Sequence, residues 1–334
     1  MVTAAEPLRI GILGAARIAA ESIVLPARAR GHQVLAVASR TPGRGAYFAR
    51  WCGIDTVYPD YPDLLADPRI ELVYIALPNA VHTLWARAAL RAGAHVLVEK
   101  PLTADPRRAR ALDRCARRTD RVFGEAHHLL AHPVYDRVRA VLGSGVLGTV
   151  RRTDIELVIG APEAGDPRWS ARLGGGALND LGCYGFALAR DLHGDRAGGL
   201  AVRAARSRRR GRVDDDTTVL LTTGAGAPVR VRAAMRSDLP PVQRLTVTGT
   251  RGRLELTRCL LPHLGARLTV ADATGTRVHT VAAGGPSTYL YQLDELTGRI
   301  RSGLGPRWSG DDRAHAAALL GRAHRLAGTG CGIL

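Results

Sequence analysis

In LRIGILGAARIA, residues 8–19, a short apolar run ends at a glycine and a helical pattern begins. A strand, a tight glycine turn and a helix form the context that a dinucleotide-binding turn requires. Read as G-x-G-x-x-G/A, the pattern falls on Gly14, Ala16 and Ala19. Alanine stands where the middle glycine would let the backbone approach a pyrophosphate. The turn taken by itself therefore also fits a plain tight turn. As a phosphate cradle it would use Gly14 and Ala16, with Arg17 and Ile18 at the helix start.

The flanking sequence repeats the strand–helix alternation. HQVLAVAS (32–39), ELVYIAL (71–77), HVLVE (95–99) and RVFGE (121–125) are apolar strands. VHTLWARAALRAG (81–93) is an amphipathic helix closed by Gly93, and another helix runs from Asp105 to about Arg118. Continuous apolar strands separated by helices indicate a doubly wound parallel sheet. After about residue 130 the period changes to two. VRRTDIELVI (150–159) is followed by a helix at about 178–192. Then come LAVRAARS, TTVLLTT, PVRVRAAM, QRLTVTG, GRLELT, ARLTVA and RVHTVA, joined by Gly, Pro and Asp turns. Helices near 288–302 and 311–327 close the chain. The expected fold class is α/β. An N-terminal Rossmann domain (1–127) precedes a C-terminal α+β domain (128–334) with an open, mainly antiparallel sheet. The last helix is free to pack back on the first domain.

Composition narrows the function. The 334 residues contain no apolar run long enough to span a bilayer, and the N-terminus lacks the basic region of a signal peptide, so a cytoplasmic location is expected. Five scattered cysteines (Cys52, Cys115, Cys183, Cys259, Cys331) form no CxxC pair, which argues against a disulfide framework or a zinc site. The formal charge is +17, with the densest arginines in DPRRARALDRCARR (105–118) and RAARSRRRGR (203–212). The first reads as the solvated face of a helix and the second as a surface loop or strand end. Aromatic residues make up only 4% and do not interleave with the arginines, so nucleic acid is not an expected partner. The field would still attract anionic small molecules.

The end of the second strand selects the cofactor. NAD-specific folds place an acidic residue there for the ribose hydroxyls. This chain has SRTPGR, with Ser39 and Arg40 at that place, a pair suited to the 2′-phosphate of NADP(H). Leu77, Asn79 and His82 in ALPNAVH lie at another strand end, where doubly wound sheets bind ligands. The stretch HVLVEKPLT (95–103) holds the only lysine, Lys100, among 47 basic Lys and Arg residues.

GILGAARIA, ALPNAVHTLWARAAL, GAHVLVEKPLT and GGGALNDLGCY together resemble the Gfo/Idh/MocA oxidoreductases, in order and spacing over nearly the whole chain. The resemblance implies hydride transfer with a nicotinamide cofactor, mostly on sugars, polyols and related carbonyls. It implies that Lys100 is the active-site lysine and that Asp180 is the acidic residue of the second domain. Tyr184 stands where inositol-dehydrogenase-like members carry histidine. Glu99, Arg168 and Trp169 correspond to positions near the cofactor in relatives. The tyrosine is similar to the branch of dihydrodiol dehydrogenases, glucose–fructose oxidoreductase and NDP-sugar 3-ketoreductases. Relatives often pair through the open face of the second sheet, so a homodimer or homotetramer is expected.

On a helix Asp180 and Tyr184 share one face. Asp180 could also serve only at the helix start, and Tyr184 only in the core. After Gly124 and Glu125 the chain departs from the family pattern with AHHLLAHP, which places His127 and His128 near the substrate pocket. His127, His128 and His132 lack a carboxylate partner in sequence, and no metal is expected. The chemistry implied is reduction of a ketone by NADPH, with Lys100 stabilising the oxyanion, Tyr184 supplying the proton and Asp180 orienting the substrate or holding the lysine. The expected substrate is a sugar or other carbonyl compound, in the first place a nucleotide-linked 3-keto-deoxysugar. The alternatives are a dehydrogenase of free sugars, dihydrodiols or polyols, an imine reductase, and a non-catalytic NADP-binding regulator.

Overall fold

The computed structural model describes residues 6–194, 199–304 and 310–329. Residues 1–5 of the N-terminal stretch and Cys331 lie outside them. The chain divides into two compact units, which are the described parts of Met1–Thr103, Arg107–Ala126 and Tyr289–Ala314, and those of Ala104–Pro106, His127–Thr288 and His315–Leu334.

The first unit alternates strands and helices in the order β1 (Arg9–Leu13), α1 (Arg17–Ala19), α2 (Leu25–Ala29), β2 (Gln33–Ala38), α3 (Pro42–Cys52), β3 (Thr56–Tyr58), α4 (Tyr61–Leu65), β4 (Leu72–Ile75), α5 (His82–Arg91), β5 (His95–Val98), α6 (Pro106–Thr119) and β6 (Phe123–Glu125). The strands form one six-stranded sheet in the order β3-β2-β1-β4-β5-β6, and every neighbouring pair is parallel. Ile10, Ile12 and Leu72 through Ile75 are fully buried, as strands covered on both faces must be. The strand order reverses between β1 and β4, the crevice where such sheets bind ligands at their carboxyl ends.

The helix expected from Arg17 is interrupted. Ala20–Val24 forms a π-helical turn between α1 and α2. Pro26 is the second residue of α2, and the wider turn before it accommodates a residue that cannot donate to the preceding carbonyls. Sequence reading assigned no element between residues 40 and 70, where α3, β3 and α4 lie. The glycines of α3 and the three-residue length of β3 weaken the periodic signal there.

The second unit carries α7 (Val134–Gly143), β7 (Val150–Ile159), α8 (Cys183–His193), β8 (Leu200–Arg210), β9 (Val213–Thr223), β10 (Pro228–Met235), β11 (Val242–Gly249), β12 (Gly252–Thr257), β13 (Arg267–Asp272) and β14 (Gly275–Thr280). Its eight strands run in the order β14-β13-β12-β11-β7-β10-β9-β8. All neighbours are antiparallel except β7 and β10. The arginine-rich stretch 203–212 is a long strand, β8, which turns at Gly211 (φ 62°) into β9. Helices α9 (Thr288–Ser302) and α10 (Gly310–Ala327) close the chain.

The eight-stranded sheet has two unlike faces. Val229, Val231 and Ala233 of β10 are buried, and α8 packs against this strand. The alternate residues Arg230 and Arg232 join carboxylates of the neighbouring strands on the other face. Arg230 reaches Asp154 at 2.6 Å and Glu156 at 3.2 Å, Arg244 reaches Glu156 at 2.7 Å, and Arg232 reaches Asp216 at 2.8 Å. Arg230, Arg232 and Arg244 are thus held in cross-strand pairs on this face. On α6, Ala109, Leu112 and Ala116 face inward while Arg107, Arg108, Arg110, Arg114, Arg117 and Arg118 are exposed. Among the described residues no helix is long and apolar enough to cross a membrane.

Candidate active site

At the end of β1 the chain turns at Gly14 with φ 101°. A Cβ there would stand 2.5 Å from the carbonyl oxygen of Ala76, so only glycine fits. The Gly14 amide donates to Ala38 O at 2.9 Å and the Ala16 amide to Gly14 O at 2.9 Å. Ala16 is extended and Arg17 opens the helix, so the strand, glycine turn and helix start follow one another as expected. Arg17 is exposed, and Ala16 and Ile18 are half-buried.

Ser39, at the end of β2, is buried and its hydroxyl bonds to the Thr41 carbonyl at 3.2 Å and accepts from the Thr41 amide at 3.3 Å. Arg40 is exposed, with its guanidinium 5.9 Å from the centre of the Tyr61 ring. Arg44 donates from Nε to Ala15 O at 2.9 Å, which brings a second guanidinium to the glycine turn. Sequence reading missed Arg44, although it ends the SRTPGR stretch whose first two residues were weighed. The two guanidiniums near the end of β2 and the glycine turn suit an anionic dinucleotide carrying a ribose phosphate.

At the end of β4, Leu77 is buried and Asn79 is half-buried at the start of a short 3₁₀ turn. His82, expected at the ligand-binding strand end, is at the start of α5. It is fully buried, with Nε2 2.7 Å from Leu77 O and Nδ1 2.9 Å from Pro101 O. Burial lowers its pKa. The imidazole fills the space between the loop after β4 and the loop after β5, and its single N–H in the neutral form bonds to one of the two carbonyls.

That second loop carries Glu99, buried, and Lys100, half-buried, and the Lys100–Pro101 peptide is cis. Tyr74 donates to Glu99 at 2.6 Å, and the Lys100 amide donates to the other oxygen of Glu99 at 3.3 Å. Glu125, at the end of β6, accepts from the Leu102 amide at 2.8 Å. Tyr74, His82, Glu99 and Glu125 thus hold the backbone on both sides of Lys100. Tyr289, in the first turn of α9, lies in the fields of Glu99 and Lys100, and burial raises its pKa. No pattern in the sequence singles out Tyr289, because it reaches this neighbourhood only through the return of α9 to the first unit.

Asp180, Tyr184, Arg168, Trp169 and His127 belong to the second unit. The expected helix over 178–192 begins with a π-helical turn, Leu178–Gly182, and continues as α8. The three glycines before it have separate reasons. Gly174 and Gly176 have positive φ (78° and 107°), and a Cβ on Gly175 would stand 2.3 Å from Arg168 O. The Gly176 amide donates to Arg168 O at 2.8 Å. This close approach brings Arg168 Nη1 to 3.7 Å from Asp180, while the same guanidinium grips Asp166 at 2.9 and 2.8 Å. Trp169 donates to Pro162 O at 3.1 Å and lies under the Arg210 guanidinium at 4.3 Å.

Tyr184 is buried, and two imidazole rings meet it edge-on. His127 is 5.8 Å and His128 5.3 Å away between ring centres. His128 Nδ1 is 2.8 Å from the Thr288 hydroxyl. His132 lies four residues beyond His128. It accepts from the Val134 amide, and burial pushes its pKa down to about 4. Among the described residues no three His, Cys, Asp or Glu side chains are grouped to hold a metal ion. Cys52, Cys115, Cys183 and Cys259 are free thiols.

Comparison with known proteins follows this division. Residues 8–127 match the profile of the oxidoreductase family with an NAD-binding Rossmann fold, and residues 135–255 match the GFO/IDH/MocA C-terminal domain. The chain is 31% identical to D-xylose 1-dehydrogenase (NADP(+)) 2 of Haloferax volcanii, over 98% of this chain and 99% of that one. It is 35% identical to dTDP-3,4-didehydro-2,6-dideoxy-alpha-D-glucose 3-reductase of Streptomyces violaceoruber, over 95% and 92%. The crystal structure of KijD10, a 3-ketoreductase from Actinomadura kijaniata in complex with NADP and TDP-benzene, superimposes with a TM-score of 0.87 at 28% identity, over 96% and 98%. The chain is an oxidoreductase and belongs to the Gfo/Idh/MocA family.

Proposed function

We propose that the protein is an NADPH-dependent reductase of the keto group of a nucleotide-linked 3-keto-deoxysugar. The observation that carries this reading is the 35% identity, across 95% of the chain, with a reductase of a dTDP-linked keto-deoxysugar. The relative solved with NADP and TDP-benzene supports the same ligand classes. In this reading the unit built on the six-stranded sheet binds the cofactor and the unit built on the eight-stranded sheet binds the substrate. Gly14, Ala16, Arg17 and Ile18 would hold the pyrophosphate. Ser39, Arg40 and Arg44 would receive the 2′-phosphate, with Leu77, Asn79 and Glu99 lining the nicotinamide end. Arg168 and Trp169 would approach the cofactor from the second unit.

When bound, the reduced nicotinamide supplies the hydride. The chain supplies charge and a proton. The Lys100 ammonium would stabilise the negative charge that grows on the carbonyl oxygen. Tyr184 would deliver the proton to that oxygen, and a cation beside a phenol makes it a better acid. Asp180 would orient the sugar, held by Arg168, and His127 would border the pocket beside Tyr184. The paired charges of the open sheet face fit a homodimer or homotetramer formed there.

A second reading, oxidation of a free sugar, is favoured by the D-xylose 1-dehydrogenase relative that matches end to end. One experiment separates the two. The purified protein is given NADPH with a dTDP-linked 3-keto-deoxysugar, and separately NADP with free aldoses, and nicotinamide absorbance is followed. The proposal expects turnover in the first arm, lowered by about a hundredfold or more in Tyr184→Phe. Turnover confined to the second arm makes the protein a sugar dehydrogenase.

A further inference from the structure

The GGGALND turn is braced by a buried polar chain that begins on the last helix. Asn179 is fully buried and its amide nitrogen donates to two carbonyls of the turn, Gly174 O at 3.0 Å and Gly175 O at 3.2 Å. Both donors of that amide are thereby committed, which leaves Oδ1 as an acceptor only. Facing it at 2.8 Å is Nε2 of His324, on α10, and this nitrogen must carry the proton. The other ring nitrogen of His324 lies 2.7 Å from the hydroxyl of Thr329 and accepts from it. The directions of all these bonds are mutually consistent for one neutral tautomer. His324 is 2% exposed, and burial holds its pKa down at about 4, so the neutral ring persists at neutral pH.

The far side of the turn is held independently. Asp214 accepts from the Leu178 amide at 2.7 Å and from the Thr217 hydroxyl at 2.6 Å. A Cβ on Gly176 would stand 2.3 Å from Asp214 Oδ1, so this support is in close contact. Between the two braces lie the backbone bonds that set Asp180 and Arg168, namely Gly176 N to Arg168 O at 2.8 Å and Asp180 N to Gly176 O at 2.9 Å. An isolated glycine-rich segment is entropically costly to fix. Buried side chains that cap its carbonyls are the means by which a rigid carboxylate can be carried on it.

We propose that Asn179 and His324 are positioning residues for the substrate-facing turn, acting through the Gly174 and Gly175 carbonyls on the placement of Asp180 and Arg168. This deepens the proposed function and rests on its assignment of Asp180 to the substrate side. Neither residue touches substrate in this reading. Thr329 fixes the tautomer that makes His324 a donor. A small displacement of a binding carboxylate is enough to lower turnover without unfolding the protein.

The test compares full-length wild type with His324→Leu, His324→Gln and Thr329→Val. Glutamine keeps an N–H donor toward Asn179, and leucine removes it. Hydrogen–deuterium exchange of the peptide covering 174–180 is measured without ligand, and the NADPH-dependent ketone reduction is measured beside it. We expect the leucine variant to speed exchange of that peptide about tenfold or more, while peptides of β7 and β10 keep wild-type rates. Its kcat/KM for the ketone should fall by about tenfold to a hundredfold, with NADPH affinity unchanged. The glutamine variant should restore most of both properties. Wild-type exchange in His324→Leu overturns the proposal, and so does a glutamine variant as impaired as the leucine one. If the leucine variant fails to fold, Thr329→Val is judged on the same peptide, and wild-type exchange there overturns the proposal. Faster exchange of the turn, in a protein that reduces no keto sugar even as wild type, upholds the positioning role and removes the proposed substrate.

Discussion

Lys100 is the one lysine in a chain that otherwise uses arginine, and the proposed function gives the exception a reason. It stands just beyond a strand buried on both faces, with Glu99 held by Tyr74 and the following amide held by Glu125. An ammonium is a compact charge on a flexible stem, whereas a guanidinium is a wide planar fork that cannot give up its proton near neutral pH. Lys100→Arg should leave a folded protein that still binds NADPH, while turnover falls by about a hundredfold, close to Lys100→Met. Thermal unfolding, cofactor fluorescence and turnover of both variants decide it, and near-native turnover in the arginine variant means that charge alone matters. Arg40 and Arg44 are tested by the opposite property. Ser39 and Arg40 stand where NAD-specific folds carry an acid, so NADPH should bind at least about tenfold more tightly than NADH. Arg40→Asp should narrow or invert that ratio, and equal affinity of the wild type for both cofactors ends the assignment.

Helix α8 carries Tyr184, so its seat on the sheet matters more than its own propensity. Gly185 lies against β10, and a Cβ there would come within 2.3 Å of Val231 Cγ1, a fully packed position. Gly185→Ala should therefore cost about 1–3 kcal/mol through overpacking. Gly298, inside α9, has open space where a Cβ would go, and Gly298→Ala should add about 0.5–1 kcal/mol. Denaturant titration of both variants measures the contrast, and equal effects would contradict the packing seen here. These elements also mark how far the sequence could be read. The six-stranded sheet was legible because strands covered on both faces are continuous apolar runs. The later strands were legible because one face alternates. The π-helical turns were not, since period alone does not distinguish them from α-helix in a window of five residues. The three-residue β3 and the glycine-bearing α3 fell below any periodic signal. At the site, Gly14, Ser39, Lys100 and Asp180 were marked by local motifs. The motif around His82 could not reveal that its side chain is fully buried between two loops. Arg44, Tyr289, Asn179 and His324 acquire meaning only through partners distant in sequence or, for Arg44, through a bond back to the first turn.

For the molecule as a whole, buried histidines set the response to acid. Burial holds His324 and His132 at about 4, against an ordinary value of 6.5. His82, His32, His95 and His263 are lowered as well, each with burial as the first cause. A group with a depressed folded-state pKa that is charged only when protonated binds more protons in the unfolded chain. Stability is then full above the unfolded value and declines as pH falls from about 6.5 toward 4. His324 and His132 could each withdraw up to about 3 kcal/mol across that window, the order given by 1.36 kcal/mol per pH unit. Buried Asp214, whose pKa is raised, works in the opposite sense but is one group against six. The Asp67 carboxyl, held low chiefly by its hydrogen bond from Arg69, gives way only under more acidic conditions. Each proton taken up also adds to a chain already at +17, and self-repulsion favours the expanded state. Unfolding free energy measured by denaturant at successive pH values should therefore fall steadily from about pH 6.5 to pH 4.5, beginning well above the ordinary carboxylate values of about 4. His324→Gln, which keeps the donor and removes the titrating group, should make that fall shallower. A stability that stays level across the window, or rises toward pH 5, would mean that these imidazoles are accessible to protons in the folded protein.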